Sequence, residues 1–231
     1  MAQSKTKSPG IRAQRRARKQ ARIMAAARAL LRDKGHEHLS LRQVAQRARL
    51  SPAGMYEFFD NREHLLDTLA AEANEALVAA LRTATADEPD PVERMVRLGL
   101  AYIGFAQERS TDFMLLFGRL STRRSLAENV PVNSEYAVIR DAVADVLGVE
   151  KPGEAHLQCL EILAYGFWSS IHGMAMLQIT HLANFGADFP TAHRLLLAST
   201  AHSWQRADWT KIAGLPDESG DTDDGLYQMD S

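Results

Sequence analysis

The stretch SLRQVAQRARLSPAGMYEFF, Ser40 to Phe59, reads as two short helices separated by three residues. Ser40 stands ahead of the apolar positions with Gln43 three residues on, the spacing of a capping box. Val44, Ala45, Ala48 and Leu50 give one apolar side. The second helix opens at Ser51-Pro52, a cap residue followed by proline at the first helical position, where the missing N–H costs nothing. Met55 and Phe59 lie four apart and turn inward together, while Tyr56 faces elsewhere. The spacing predicts a helix-turn-helix whose second helix, Ser51 to Phe58, fits a major groove; such a unit also occurs in proteins that never touch DNA.

Working outward, Ile23, Ala27, Leu30 and Leu31 predict a buttressing helix from about Arg18 to Lys34, stopped by Gly35. Asn61 caps a long helix with Leu65, Leu66, Leu69, Ala73 and Leu77 on one side, ending before the breaker-rich Thr83 to Pro91. Asp90-Pro91 opens another, and Ser110 to Leu120 is apolar on nearly every side, so it must be buried or face a cavity. Residues 121 to 133 read as a loop, Glu135 to Leu147 as a helix closed by Gly148, and Glu154 to about Gln178 as the most apolar helix. Asp188 and Pro190 start the last helix, which runs to Trp204. No β-alternating run of convincing length appears, so the expected fold is all-α with about nine helices. The expected divisions are a flexible basic arm over 1–17, a helix-turn-helix domain over 18–81, a helical body over 82–210 and an acidic disordered tail over 211–231.

At the spacing of Gly35, Ser40-Leu41, Val44-Ala45, Leu50-Ser51, Met55-Tyr56, Phe59, Asn61-Arg62-Glu63 and Leu65-Leu66, residues 17 to 70 resemble the N-terminal domain of TetR-family transcriptional repressors. Trp168-Ser-Ser-Ile-His172-Gly173 is similar to the Trp-His-Gly signature of one class of TetR C-terminal domains. The resemblance implies a homodimer on a palindromic double-stranded operator, answering to a small-molecule effector. It also implies that Tyr56 and Arg62 touch DNA phosphates, and that the last two helices form a four-helix bundle with their mates. The expected DNA-facing set is Ser40, Leu41, Arg42, Arg49, Ser51, Pro52, Ala53, Gly54, Tyr56, Phe58 and Arg62. Pro52, Ala53 and Gly54 would approach base edges, with the polar and basic members on phosphates. Arg49 stands where the family commonly has Gly, and Pro-Ala-Gly offers almost no side-chain hydrogen bonds, so readout would lean on backbone approach or DNA shape.

Charge supports the division. Residues 1–64 hold 15 Lys and Arg against 5 Asp and Glu, a balance of +10, and residues 65–231 hold 12 against 24, a balance of -12. A phosphate backbone feels the local patch rather than the total of -2. The single Cys159 excludes an internal disulfide and suits a reducing cytoplasm; no apolar run of membrane length or signal-peptide pattern is present.

In the body, Tyr102, Phe105, Phe113, Met114, Phe117 and Trp168 are candidate ligand lining, with plain core as the competing reading. Glu161 and His172 are polar groups on a very apolar helix, so each needs a partner. Phe167, Ile171, Leu195, Leu196 and Ser199 are the candidate dimer seam. His36-Glu37-His38 has no third nearby ligand and reads as a polar loop, so neither metal nor cofactor is expected. No nucleophile elbow, phosphate-binding Gly loop or HExxH occurs, which argues against an enzyme. The expected function is a sequence-specific repressor; the alternative is a helical adaptor or a DNA binder without sequence preference or small ligand.

Overall fold

The structure, a computed structural model, describes residues 10–35, 37–118, 134–148 and 154–207, the side chains of 154–156 excepted. Among them are nine helices and no strand: α1 Ile11–Lys34, α2 Leu41–Arg47, α3 Pro52–Tyr56, α4 Arg62–Thr85, α5 Pro91–Glu108, α6 Ser110–Phe117, α7 Glu135–Leu147, α8 Glu154–Ile179 and α9 Phe189–Arg206. The chain divides into two compact units, one built from the described parts of 1–73 and 111–119, the other from those of 74–110 and 120–231. The boundary therefore falls inside α4, ahead of Leu81, and α6 groups with the first unit.

Local chemistry sets most helix starts. Ser40 accepts from the Gln43 N–H at 3.3 Å while its own N–H donates to Gln43 Oε1 at 3.3 Å, closing the capping box. Ser51 accepts from the Gly54 N–H at 3.1 Å ahead of Pro52. Asn61 Oδ1 takes the His64 N–H at 2.8 Å, and Asp90, Ser134 and Asp188 cap α5, α7 and α9 in the same way. Gly35, at φ 74°, ends α1 with its N–H on the Leu31 carbonyl at 2.8 Å.

Two expectations change here. Residues 11–17, read as flexible arm, are the first two turns of α1, because Ala, Arg and Gln are all strong helix formers. The second helix of the pair is only Pro52–Tyr56, with Glu57 as its C-cap and Phe58 beyond it. The turn between α2 and α3 is a Schellman motif: the Arg49 N–H reaches Gln46 O at 3.1 Å and the Leu50 N–H reaches Ala45 O at 2.9 Å. Arg49 takes the left-handed position at φ 51° that glycine usually fills. Arg49→Gly is therefore expected to stabilise the first unit by about 0.5–1 kcal/mol, read as a raised melting midpoint; a lowered midpoint would mean the arginine contributes more than its backbone costs. The segments 121–133, 211–231 and His36 lie outside the described residues.

In the first unit Ile23, Ala27, Leu30, Val44, Ala45, Met55, Phe59, Leu65, Leu66 and Leu69 form one core, joined by Leu115 of α6. Arg28 of α1 pairs with Glu72 of α4 and lies 3.9 Å from the buried Asp112 of α6, a charged clasp over that core. Asp112, Phe113 and Leu115 are buried, while Met114 is exposed and Leu116 and Phe117 half-buried, so the expected burial of α6 holds for one side.

In the second unit α5 packs on α7, α8 and α9, and α7 on α8 and α9. α5 and α9 approach closely at Gly99, where an added Cβ would stand 2.8 Å from Leu197 Cδ1. Phe167 and Ile171 are 1% and 0% exposed within this subunit, which removes them from the expected dimer seam. Their side of α8 faces the subunit's own core. The face of α8 open to solvent instead carries Ile162, Tyr165, Ser169, Ser170, Gly173 and Leu177 at helical spacing. On α9, Leu195 and Leu196 are 66% and 52% exposed, with Ser199 beside them.

Candidate nucleic-acid interface

The first unit presents α3 as a short projection. Ser51, Pro52 and Ala53 are exposed, Gly54 is half-buried, and Tyr56 is 60% exposed, whereas Met55 and Phe59 anchor the helix from below at 1% and 2%. Arg42 on α2 and Arg49 in the turn are exposed on the flanks. These residues can meet phosphates and groove edges directly. Leu41 and Phe58 are half-buried against the core, and the Arg16 guanidinium sits over the Phe58 ring at 5.0 Å, so both set the helices' positions.

Ser40 and Ser51 are committed to their caps, which leaves their hydroxyls able to reach a phosphate only through remaining capacity. Arg62 donates from Nε to the carbonyl of buried Leu39 at 2.9 Å and pairs with Glu63. It ties the first turn of α4 to the segment ahead of α2. A guanidinium so held is oriented before any phosphate arrives.

Arg22 was not among the expected site residues. From α1 its guanidinium donates to the Ala48 carbonyl and lies 3.5 Å from Arg49 O, so it grips the turn from outside. With Arg47 and Arg49 it rims a shallow groove floored by Ala25, Ala26, Ala29 and Ala48. Arg47 is paired with Asp33 at 3.0 Å. No local pattern marks Arg22, since its partner is 26 residues further on.

Candidate effector lining falls in both units: Phe113, Met114 and Phe117 in the first, Tyr102, Phe105, Glu161, Trp168 and His172 in the second. In the second unit a polar chain crosses α5, α7 and α8. Trp168 Nε1–H donates to Tyr102 Oη at 3.2 Å, and Tyr102 Oη lies 3.0 Å from His172 Nδ1. The Tyr102 hydroxyl thus bridges Trp168 and His172, and the direction of its bond to Nδ1 follows the histidine tautomer. Burial holds the His172 pKa below its usual value, in keeping with a neutral ring. Burial also pushes the Tyr102 hydroxyl far up, so it stays protonated. Tyr136 donates to Glu161 Oε2 at 2.8 Å, Arg140 reaches Glu161 Oε1 at 3.4 Å, and the Tyr136 and Trp168 rings meet edge to face at 5.8 Å. Glu161 and His172 thus have partners within the protein. Phe105 lies under the Arg109 guanidinium at 5.2 Å. Cys159 is buried. Among the described residues no group of His, Cys, Asp and Glu is placed to hold a metal ion, and no helix is long and apolar enough to cross a membrane.

Residues 23–69 match the family model of bacterial regulatory proteins, tetR family. That segment runs from Ile23 of α1 through the helix-turn-helix to Leu69 of α4. No curated protein matches the chain in sequence. Among solved structures, a protein of unknown function from Rhodococcus sp. RHA1 is similar at TM-score 0.62 and 23% identity over 88% of this chain and 98% of that one. A TetR-like transcriptional regulator from the same organism gives 0.60 and 19% over 90% and 100%. A TetR family transcription regulator from Marinobacter aquaeolei VT8 gives 0.58 and 20% over 83% and 97%. At these identities the likeness establishes the fold.

Proposed function

We propose, from the premise that residues 23–69 make this chain a member of the tetR family of bacterial regulatory proteins, that it is a homodimeric repressor released from a palindromic operator by a small molecule. It is a DNA-binding regulator and not an enzyme; dimer, operator symmetry, effector and a cytoplasmic setting are the proposed parts. The observation that carries the reading is the exposed α3, capped by Ser51 and following the capping box of α2, inside a unit whose sequence is strongly basic.

In this reading Arg42, Tyr56 and the pre-oriented Arg62 fix register on phosphates, and Pro52, Ala53 and Gly54 let the backbone of α3 approach the groove floor. Arg49 adds charge at the groove's edge. The exposed apolar and small residues of α8 and α9 support pairing of two copies there, Leu195, Leu196 and Ser199 included. The Tyr102, Trp168 and His172 cluster supports an effector site in the second unit, because its hydrogen bonds join α5 to α8 and a ligand's polar group can exchange with them. Such a ligand shifts DNA affinity only by as much as it prefers one arrangement over the other.

Selection of bound fragments from a random duplex pool tests this. The expected product is a twofold-symmetric sequence with half-sites about one helical turn, roughly 34–36 Å, apart. Fragments without shared sequence, bound as well as scrambled duplex, would instead establish a DNA binder without sequence preference.

A further inference from the structure

The first three turns of α1 stand ahead of the core and are exposed throughout, from Ile11 to Arg22. These twelve residues, IRAQRRARKQAR, include six Arg or Lys and no acid. Their arrangement is not random around the helix. Arg12, Arg16 and Lys19 lie at i, i+4 and i+7 on the same line that continues as Ile23, Ala26 and Leu30, which are buried in the core of the first unit. Arg15 and Arg22 flank that line. The helix side that packs inward further along thus becomes a cationic edge overhanging the helix pair.

Two contacts fix its direction. Arg16 lies over Phe58, just past α3, and Arg22 grips the carbonyl of Ala48 in the turn. The edge is therefore tied to the helix-turn-helix at Arg16 and again at Arg22, where the groove rimmed by Arg22, Arg47 and Arg49 lies. Arg18 lies about 160° around the helix from Arg16 and about 100° from Lys19, off the edge.

We propose that the Arg12, Arg15 and Lys19 edge of α1 is a second duplex-binding surface, which engages phosphates outside the base pairs covered by α3. The inference rests on the DNA-binding reading and extends it: the sequence arm becomes a rigid helical rod of charge. Because six cations are held on a helix before binding, each phosphate contact costs less ordering than it would from a flexible tail. The surface carries no base readout and lengthens the footprint without changing the preferred sequence.

Three variants test it in the full chain. Lys19→Gln and Arg18→Gln change net charge equally at adjacent positions with little loss of helix propensity. Affinity for a selected duplex, measured by fluorescence anisotropy across salt, should have its salt slope reduced by about 0.9 per bound copy in Lys19→Gln, and be scarcely altered in Arg18→Gln. The triple change Arg12→Gln, Arg15→Gln, Lys19→Gln should reduce the slope by about 2.7 per copy, so the wild type loses about 40-fold more affinity than the variant between 50 and 200 mM salt. Trimming base pairs beyond the two half-sites should weaken the wild type and not the triple variant. Equal slopes for Lys19→Gln and Arg18→Gln, or equal effects of trimming, would overturn the proposal while leaving the repressor reading intact. A wild type with no affinity for duplex overturns both.

Discussion

Leu195→Glu combined with Leu196→Glu is expected to leave a folded monomer, with affinity for a duplex bearing both half-sites lowered by about 100-fold or more. Both side chains project from α9 into solvent within the subunit, so the change costs the monomer little. Across a twofold seam the same change buries four carboxylates without partners, which no pairing of apolar faces survives. The loss on DNA follows because the second half-site is then bound from solution rather than by a tethered copy. Sedimentation velocity and band shifts read the two effects separately. Dimers that persist would place the seam elsewhere, with the exposed Ile162, Tyr165 and Leu177 of α8 as a surface awaiting another role.

Phe59→Ala is expected to cost the first unit about 3–5 kcal/mol, a large part of what a domain of this size possesses. Phe59 is 2% exposed, packs with Met55 under α3 and meets the His64 ring edge to face at 5.4 Å. Truncation opens a cavity below the helix that would read DNA. Thermal unfolding should split into an early transition and a later one that keeps the α5, α7, α8 and α9 helicity. DNA binding should be lost at temperatures where pairing remains. One transition with an unmoved midpoint would contradict the central place given to this ring.

The head was legible because its signals are local. Ser40 with Gln43, Ser51 with Pro52, Asn61, Asp90 and Asp188 each announce a helix start within three or four residues, and each cap is formed. Glu135 to Leu147 with Gly148 was readable to the residue for the same reason. The inner and outer faces of α8 were not legible, since apolar residues cover nearly its whole circumference and no charge marks the outside. Phe167 and Ile171 could not be told from Ile162 and Tyr165 until α5, α7 and α9 were in place. The start of α1 is not legible in the sequence because dense positive charge resembles a disordered tail, although Ala, Arg and Gln favour a helix as strongly as apolar residues do. Arg22 on the turn and Arg28 on Glu72 join residues far apart in sequence, which no window of pattern reading spans.

The lone thiol of the chain, buried Cys159 on α8, has a practical corollary. A thiol introduced at an exposed position of α4 such as Ala71 becomes the one readily labelled atom of each chain. Paired copies then carry two spin labels and report one separation between their heads. That separation, followed as candidate small molecules are added, ranks them by the displacement they cause without any knowledge of the operator.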